Sequence, residues 1–211
     1  MRRRSLTAAI VLVGTGLLAQ EDSVQWAPYH AGFGLNEGVY ADFNAFRMNA
    51  PTVPKERLRD AAGLPVSDIR KAVSKLTWRP DTGGVATVRK ERLWGFSQND
   101  AVYIAAGNGF YRLGIMGGLC HMLYEMSYRD WDPYLYPYGG VTRTILMQQM
   151  LHMGTGEFLP FNAGGMGRAL QDDPLLLEEF RALPRKQRNK DEALFRFLRL
   201  YNERHPLLFP R

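Results

Sequence analysis

Short apolar runs alternate with turn-forming residues through the middle of the chain. Between residues 76 and 161, β-branched and aromatic segments are separated by sequences such as Ser97–Asp100, Gly107–Gly109 and Gly117–Gly118. Turn signals at intervals of about 8–12 residues are typical of antiparallel strands joined by hairpins. The pattern therefore predicts an antiparallel β-meander over residues 76–161.

The segment Val141–Met153 has the clearest strand pattern of this region. Its odd-numbered positions are mostly apolar and its even-numbered positions mostly polar, which is the two-residue period of a strand. Gly154–Gly156 predicts a turn, and the residues up to Phe161 predict the returning strand of a hairpin.

Helical spacing of apolar residues characterises the C-terminal part, residues 162–211. Asp173 is placed as an N-cap with Pro174 in the first turn of the helix. Asp191 opens a second helix that ends at His205. Because these apolar stripes need a surface to cover them, the simplest solution is one face of the sheet. The predicted fold class is α+β, an antiparallel β-meander sheet with two or three C-terminal helices packed on it.

The N-terminal residues follow the pattern of an export signal. Arg2–Arg4 form a positive cluster, Leu6–Leu18 are apolar or small, and Ala19 precedes the polar Gln20. This predicts a signal peptide over residues 1–19 and a periplasmic or extracellular protein. The apolar run is shorter than the roughly 20 residues of a membrane-spanning helix, so no integral membrane protein is expected after cleavage. An uncleaved anchor is the alternative, and the junction lacks the cysteine of a lipoprotein.

Residues 20–75 are predicted to be an irregular segment with short elements. Within it, Ser67–Lys75 predicts either two helical turns capped by Ser67 or an extended strand. The sheet and the C-terminal helices together are expected to form one domain.

The formal net charge of +6 does not by itself indicate a nucleic-acid partner. The predicted signal peptide contributes three arginines and no acids, while residues 20–167 carry 14 basic and 14 acidic side chains. The dense basic run Pro184–Lys190 lies between the acidic pairs Glu178–Glu179 and Asp191–Glu192. This run is predicted to be a solvated loop between two helices, and no nucleic-acid binding is expected.

The residues of catalytic and metal centres do not occur in their usual spacing. There is no Gly-x-Ser-x-Gly motif, and Cys120 falls on the core side of its predicted strand, opposite to His121. His121, Glu125 and His152 lack a metal-ligand spacing, so no metal and no cofactor are predicted. Three glycine-rich stretches are predicted to be turns rather than phosphate-binding loops: residues 32–34, 107–109 and 163–167.

The most distinctive composition is found in Tyr128–Tyr138, where five aromatic residues stand among charged ones. Amphipathic rings of this kind are common on surfaces that bind ligands or proteins. The alternative is a long loop whose rings fold back onto the sheet. The candidate binding residues are Tyr128, Trp131, Asp132, Tyr134, Tyr136 and Tyr138.

Six short motifs follow one another along the chain: Gly38–Pro51, Leu93–Phe96, Val102–Ile104, Phe110–Arg112, Thr155–Glu157 and Leu200–Pro206. Their arrangement resembles that of uncharacterised exported proteins of the Bacteroidota, a family of unknown function. The resemblance covers most of the chain after the predicted signal peptide. It implies an exported location and a small β-meander domain with C-terminal helices, and it supplies no catalytic residues.

Together these features predict an exported, non-enzymatic binding or accessory protein of the cell envelope, with an envelope protein as its partner. The aromatic segment and the C-terminal helices are the expected contact surfaces. The alternative is a secreted hydrolase that acts on carbohydrate or peptide through Glu125, Asp130, Asp132 or a histidine. A purely structural role is the third hypothesis.

Overall fold

A computed structural model describes residues 24–80, 82–131, 134 and 139–211. The predicted signal peptide, residues 1–19, lies outside these ranges, as do Asp132, Tyr136 and Tyr138 of the aromatic segment. Within the described ranges, no helix is both long enough and apolar enough to cross a membrane.

Short elements joined by turns make up the first part of the chain. They are β1 (Trp26–Pro28), β2 (Gly38–Tyr40), α1 (Phe43–Arg47), β3 (Val53–Pro54), β4 (Leu58–Arg59), α2 (Ile69–Ala72), β5 (Thr77–Trp78) and β6 (Ala86–Thr87). Single-turn 3-10 helices occupy Lys55–Arg57 and Lys90–Arg92. Strands β4, β5 and β6 form a small antiparallel sheet of their own, which is called the small sheet below.

Helix α2 supports the helical alternative for Ser67–Lys75, but the prediction of Ser67 as its N-cap is wrong. Asp68, not Ser67, is the N-cap, and its Oδ1 accepts a hydrogen bond from the Lys71 amide at 3.2 Å. Aspartate and serine are both good N-caps, so the choice depends on where the preceding chain enters the helix.

The predicted antiparallel sheet with packed C-terminal helices is confirmed. Six consecutive strands form its meander: β7 (Gly95–Gln98), β8 (Ala101–Ala106), β9 (Gly109–Ile115), β10 (Leu119–Asp130), β11 (Val141–His152) and β12 (Phe158–Pro160). Strands β2 and β3 extend the β7 edge, which gives eight strands in the order β12-β11-β10-β9-β8-β7-β2-β3. Asn99 and Asp100 both have positive φ, at 51° and 55°, as the two-residue turn between β7 and β8 requires.

Four helices and one strand complete the chain. They are α3 (Ala163–Ala169), α4 (Pro174–Ala182), α5 (Arg185–Arg188), α6 (Asp191–Arg204) and β13 (Leu208–Pro210), which pairs with β1. Asp173 caps α4 as predicted, because its Oδ1 accepts from the Leu176 amide at 3.0 Å. The exposed run 184–190 is not simply a loop, since it contains the single helical turn α5.

The prediction of a turn at residues 163–167 is wrong, because these residues begin helix α3. Asn162 caps the helix by accepting a hydrogen bond from the Gly165 amide at 2.9 Å. A Cβ atom at Gly165 would collide with the carbonyl oxygen of Pro160 in β12. The glycine is therefore needed for the close approach of α3 to the sheet edge, and the low helix propensity of glycine is overridden by packing.

The sheet is covered on both faces near the start of β10 and the end of β11. On one face, Leu119 and Met150 pack against the helices, including Met166, Phe180 and Phe197. On the other face lies a second cluster, formed by the sheet, the N-terminal segment and β13: Phe33, Tyr40, Phe46, Cys120, Met122, Leu151 and Phe209 are among its members. Cys120 is fully buried, and burial raises the pKa of its thiol to about 12, so it is a core residue.

The Gly38–Pro51 motif also has a structural role. The buried hydroxyl of Tyr40 donates to the Asn36 carbonyl at 2.7 Å and lies 3.1 Å from Ser97 Oγ. Burial raises the pKa of Tyr40 to about 12. Asn49 adopts a φ of 49° and accepts a hydrogen bond from the Asn36 amide. These contacts join β2, the end of α1 and β7.

The contact between Gly165 and Pro160 predicts a large difference between two glycines of the same helix. Gly165→Ala should destabilise the protein by about 1–3 kcal/mol or more, because an added methyl group meets backbone that cannot move freely. Gly167→Ala is the matched control, since a Cβ there has nothing within 4 Å and should be neutral or stabilise by up to about 1 kcal/mol. Urea unfolding of both variants measures the difference, and equal stability would contradict the proposed packing.

Candidate functional site

Strands β10 and β11 extend beyond the rest of the main sheet as a two-stranded arm. In the described chain, β9 pairs with β10 at His121 and Met122, and β12 pairs with β11 at residues 149–151. The two long strands nevertheless stay paired with each other as far as Asp130 and Val141. We call their outer part, residues 125–130 paired with residues 141–146, the ribbon.

Both faces of this arm are exposed to solvent. All residues from 141 to 146 are exposed, although successive side chains of a strand point to opposite faces. Over residues 141–146, neither face of β11 is therefore covered by a second layer of the described residues. Large apolar side chains are among those exposed, with Leu146 at 65% of its full area and Ile145, Val141 and Tyr128 also exposed.

Side-chain contacts across the ribbon hold its two strands in register. Asp130 Oδ2 accepts from Arg143 Nε at 2.7 Å, and Ser127 Oγ lies 2.9 Å from Thr144 Oγ1. Exposed pairs of this kind each contribute up to about 1 kcal/mol. Since an isolated two-stranded hairpin is only marginally stable in water, the ribbon depends on its continuity with the buried part of the same strands.

The candidate binding residues that are described lie at the outer end of this arm. Tyr128 is on β10 rather than in the connecting loop. Trp131 and Tyr134 are on the connection between the strands, residues 131–140, which we call the aromatic loop, and are 65% and 94% exposed. These two rings do not fold back onto the sheet. Asp132, Tyr136 and Tyr138 lie outside the described residues.

The two described carboxylates of the hydrolase alternative, Glu125 and Asp130, do not come together. Glu125 and Asp130 are both on β10 but five positions apart, so their side chains point to opposite faces of the strand. Asp130 is also paired with Arg143. These two residues therefore do not form an acid–base pair, and Asp132 lies outside the described residues.

His121 is a core residue of the helix-covered face. Its ring packs against Phe161 and Phe195, with centroids 4.6 and 4.9 Å away, and its Nε2 lies 3.0 Å from Gln148 Oε1. Burial lowers the pKa of this histidine, which favours its neutral form. It has no contact with Cys120, since the two side chains lie on opposite faces of β10.

A polar cluster that the sequence analysis did not find joins the end of β11 to the helices. The Tyr201 hydroxyl donates to Asp172 Oδ2 at 2.7 Å and lies 3.1 Å from His152 Nε2. The Gly154 amide donates to His152 Nδ1 at 3.2 Å, and His152 Nε2 lies 3.3 Å from Asp172 Oδ2. Burial, followed by the nearby Asp172, raises the pKa of Tyr201. Its phenol therefore acts as a hydrogen-bond donor rather than as a nucleophile.

The second half of this cluster is organised around Asp173. Its carboxylate accepts from the Leu176 amide, from Arg204 Nη1 at 3.1 and 3.2 Å, and from His205 Nε2 at 3.2 Å. The Leu176 amide, then His205 and Arg204, lower the pKa of Asp173. The His205 ring stacks on Tyr201 at 4.2 Å. The cluster thus fastens the start of α4 and the end of α6 to the sheet.

The side chains of this cluster come from β11, from the start of α4 and from the end of α6, so their convergence could not be predicted from the sequence. They are His152, Asp172, Asp173, Tyr201, Arg204 and His205. Only the N-cap pattern of Asp173 and the helix-ending position of His205 were visible locally. Over the described residues, no group of three or more histidine, cysteine, aspartate or glutamate side chains is arranged to hold a metal ion.

Comparison with known proteins finds no relative. The chain matches no protein-family model, no curated protein and no solved structure. The resemblance to exported Bacteroidota proteins therefore stays a prediction that rests on the short motifs quoted above.

The contacts of Asp173 predict a pH-dependent contribution to stability. Because its folded-state pKa is lowered, its carboxylate stabilises the fold above the ordinary aspartate pKa of about 3.9, and this contribution is lost as the pH falls through the folded-state value. Asp173→Asn should keep the cap but lose the charge, so it should be less stable than wild type at pH 7. The difference should narrow in acid, as measured by urea unfolding across the pH range. A difference that is constant with pH would contradict the ionic role.

Exposure of the ribbon on both faces predicts that it is dispensable for folding. Replacing residues 127–144 by an Asn-Gly turn that joins Met126 to Ile145 should leave the free energy of unfolding within about 1 kcal/mol of wild type, since little buried surface is lost and a loop is shortened. Thermal and urea unfolding test this. A variant that fails to fold would show that the arm belongs to the core.

Proposed function

We propose that the protein is a non-enzymatic binding module whose contact surface is the ribbon together with the aromatic loop. The observation that carries this proposal is the exposure of both faces of β11 from residue 141 to 146. The arm exposes the apolar side chains of Leu146, Ile145 and Trp131 to solvent. Their exposed surface does not contribute to the hydrophobic core. Apolar surface presented in this way is typical of contact sites for another protein.

The outer edge of β11 supports strand addition as the mode of binding. The Gln148 carbonyl accepts a hydrogen bond from the Phe161 amide at 3.3 Å. Before Gln148, β11 has no strand on that side among the described residues, so the main-chain amides and carbonyls of alternate residues face outward. Such edges pair readily with an extended segment of another chain. Residues 141–148 contain one charged side chain, Arg143, which is paired with Asp130, and no proline. The features that usually protect an edge strand are therefore scarce here.

An exported, envelope-associated location completes the proposal. It is supported by the signal-peptide pattern of residues 1–19 and by the resemblance of the motifs to exported Bacteroidota proteins. Fractionation of the native host, with N-terminal sequencing of the accumulated protein, tests it. The expected result is a periplasmic or secreted protein that begins near Gln20, and an uncleaved cytoplasmic protein would contradict it.

Site-specific photo-cross-linking in the native host tests the contact surface. A photoreactive residue at Tyr134 or Leu146 should capture the same envelope protein repeatedly. The matched control is Leu175 on α4, which is 74% exposed and apolar but belongs to a different surface. Equal capture from all three positions, or none from Tyr134 and Leu146, would argue against the ribbon as the contact site.

Substitution of the loop aromatics gives a second, independent measurement. Trp131→Ala with Tyr134→Ala should reduce capture from Leu146 by at least about tenfold, because buried aromatic anchors commonly contribute 2 kcal/mol or more to a protein interface. Both side chains are exposed, so the unfolding temperature should not change. Undiminished capture would remove the aromatic loop from the contact surface.

A further inference from the structure

Positive charge is concentrated in one short stretch of a region that is neutral as a whole. Residues 55–92 contain ten basic and five acidic side chains, although residues 20–167 carry equal numbers of both. This stretch forms the small sheet and the turns and short helices around it. The excess basic residues are spread through this stretch and do not form a continuous basic run.

The alternation of the small sheet places basic side chains on one face. Leu58, Leu76 and Val88 are buried against the main sheet, so their neighbours along each strand point outward. Arg59 and Thr77 form one outward pair, and Thr77 is in turn paired with Thr87. Four cations lie on or beside these strands, and we call them the cationic face: Arg59 on β4, Lys75 and Arg79 on either side of β5, and Arg89 after β6. Lys75, Arg79 and Arg89 are exposed, and Arg59 is half-buried.

These cations form no close ion pairs with the acidic side chains that the structure describes. None of the four forms an ion pair with a described carboxylate. Arg59 donates instead to the carbonyls of Glu56 and Leu58, at 2.6 and 2.8 Å. Asp81, in the β5–β6 connection, lies outside the described residues.

Two exposed apolar side chains border the same face. Leu64, in the turn after β4, is 61% exposed, and Val85, before β6, is 66% exposed. Gly63, next to Leu64, lines a groove of about 300 Å³ together with Val85, Arg59 and Arg79. Two of the four cations, Arg59 and Arg79, therefore line the same groove as Val85 and the residue next to Leu64.

We infer that the cationic face binds the surface of an anionic phospholipid membrane. Each lysine or arginine near such a surface is attracted to the lipid phosphates. Leu64 and Val85 are placed to enter the boundary between headgroups and acyl chains, where exposed apolar side chains are favourable. A soluble polyanion would use the same cations but would gain nothing from the two apolar tips, and this favours the membrane.

Co-sedimentation with vesicles tests the charge requirement. The protein, isolated in the form that its host accumulates, should bind vesicles of equimolar phosphatidylcholine and phosphatidylglycerol, and binding should weaken as salt is added. It should not bind phosphatidylcholine alone. Arg59→Gln with Arg79→Gln should weaken binding about 30-fold. The matched control, Arg185→Gln with Lys186→Gln on the exposed helix α5, removes the same charge elsewhere and should change binding little.

Substitution of the apolar tips separates a membrane from a soluble polyanion. Leu64→Ser with Val85→Ser should weaken vesicle binding several-fold and leave binding to heparin unchanged. All variants carry the same N-terminus, and circular dichroism checks that each is folded. Three results would each overturn the inference: equal losses of vesicle binding in the Arg59/Arg79 variant and the Arg185/Lys186 control, unchanged vesicle binding by the serine variant, or no binding of the protein to the anionic vesicles.

Discussion

Burial of the base of the β10–β11 hairpin on both faces is the constraint on which the rest of the structure depends. Residues 119–122 and 150–152 are all buried, whereas most strands of an antiparallel sheet bury one face only. Helices α3, α4 and α6 cover one side, and the N-terminal segment with β13 covers the other. The first and last parts of the chain are therefore held together by the same two strands.

The position of the ribbon follows from this base. Strands that are fixed on both faces at one end can extend into solvent at the other without losing their register. The polar cluster strengthens the fixed end, because His152 at the end of β11 is bonded to Tyr201 of α6. An arm mounted in this way loses little conformational freedom when a partner binds, which reduces the entropic cost of association.

The small sheet and the ribbon belong to different sheets and expose different chemistry. The cationic face presents Arg59, Lys75, Arg79 and Arg89 without described acidic partners, while the ribbon presents apolar and aromatic side chains with one internal ion pair. Surfaces of such different character suit two different kinds of contact. The two proposals together describe a protein that associates with an anionic membrane through one surface and with an envelope protein through another.

Much of the architecture could be predicted from the sequence, because strand alternation, turn residues and helix caps act over only a few positions. The meander, the cap at Asp173 and the start of α6 at Asp191 are of this kind, as is the aromatic composition of the loop. Helix α3 was missed because the glycine that weakens it locally is required by its contact with Pro160. The polar cluster and the cationic face were missed because their members are brought together from separate elements. The double exposure of the ribbon also depends on tertiary structure, since whether a strand face is covered depends on the elements packed beside it and not on its own residues.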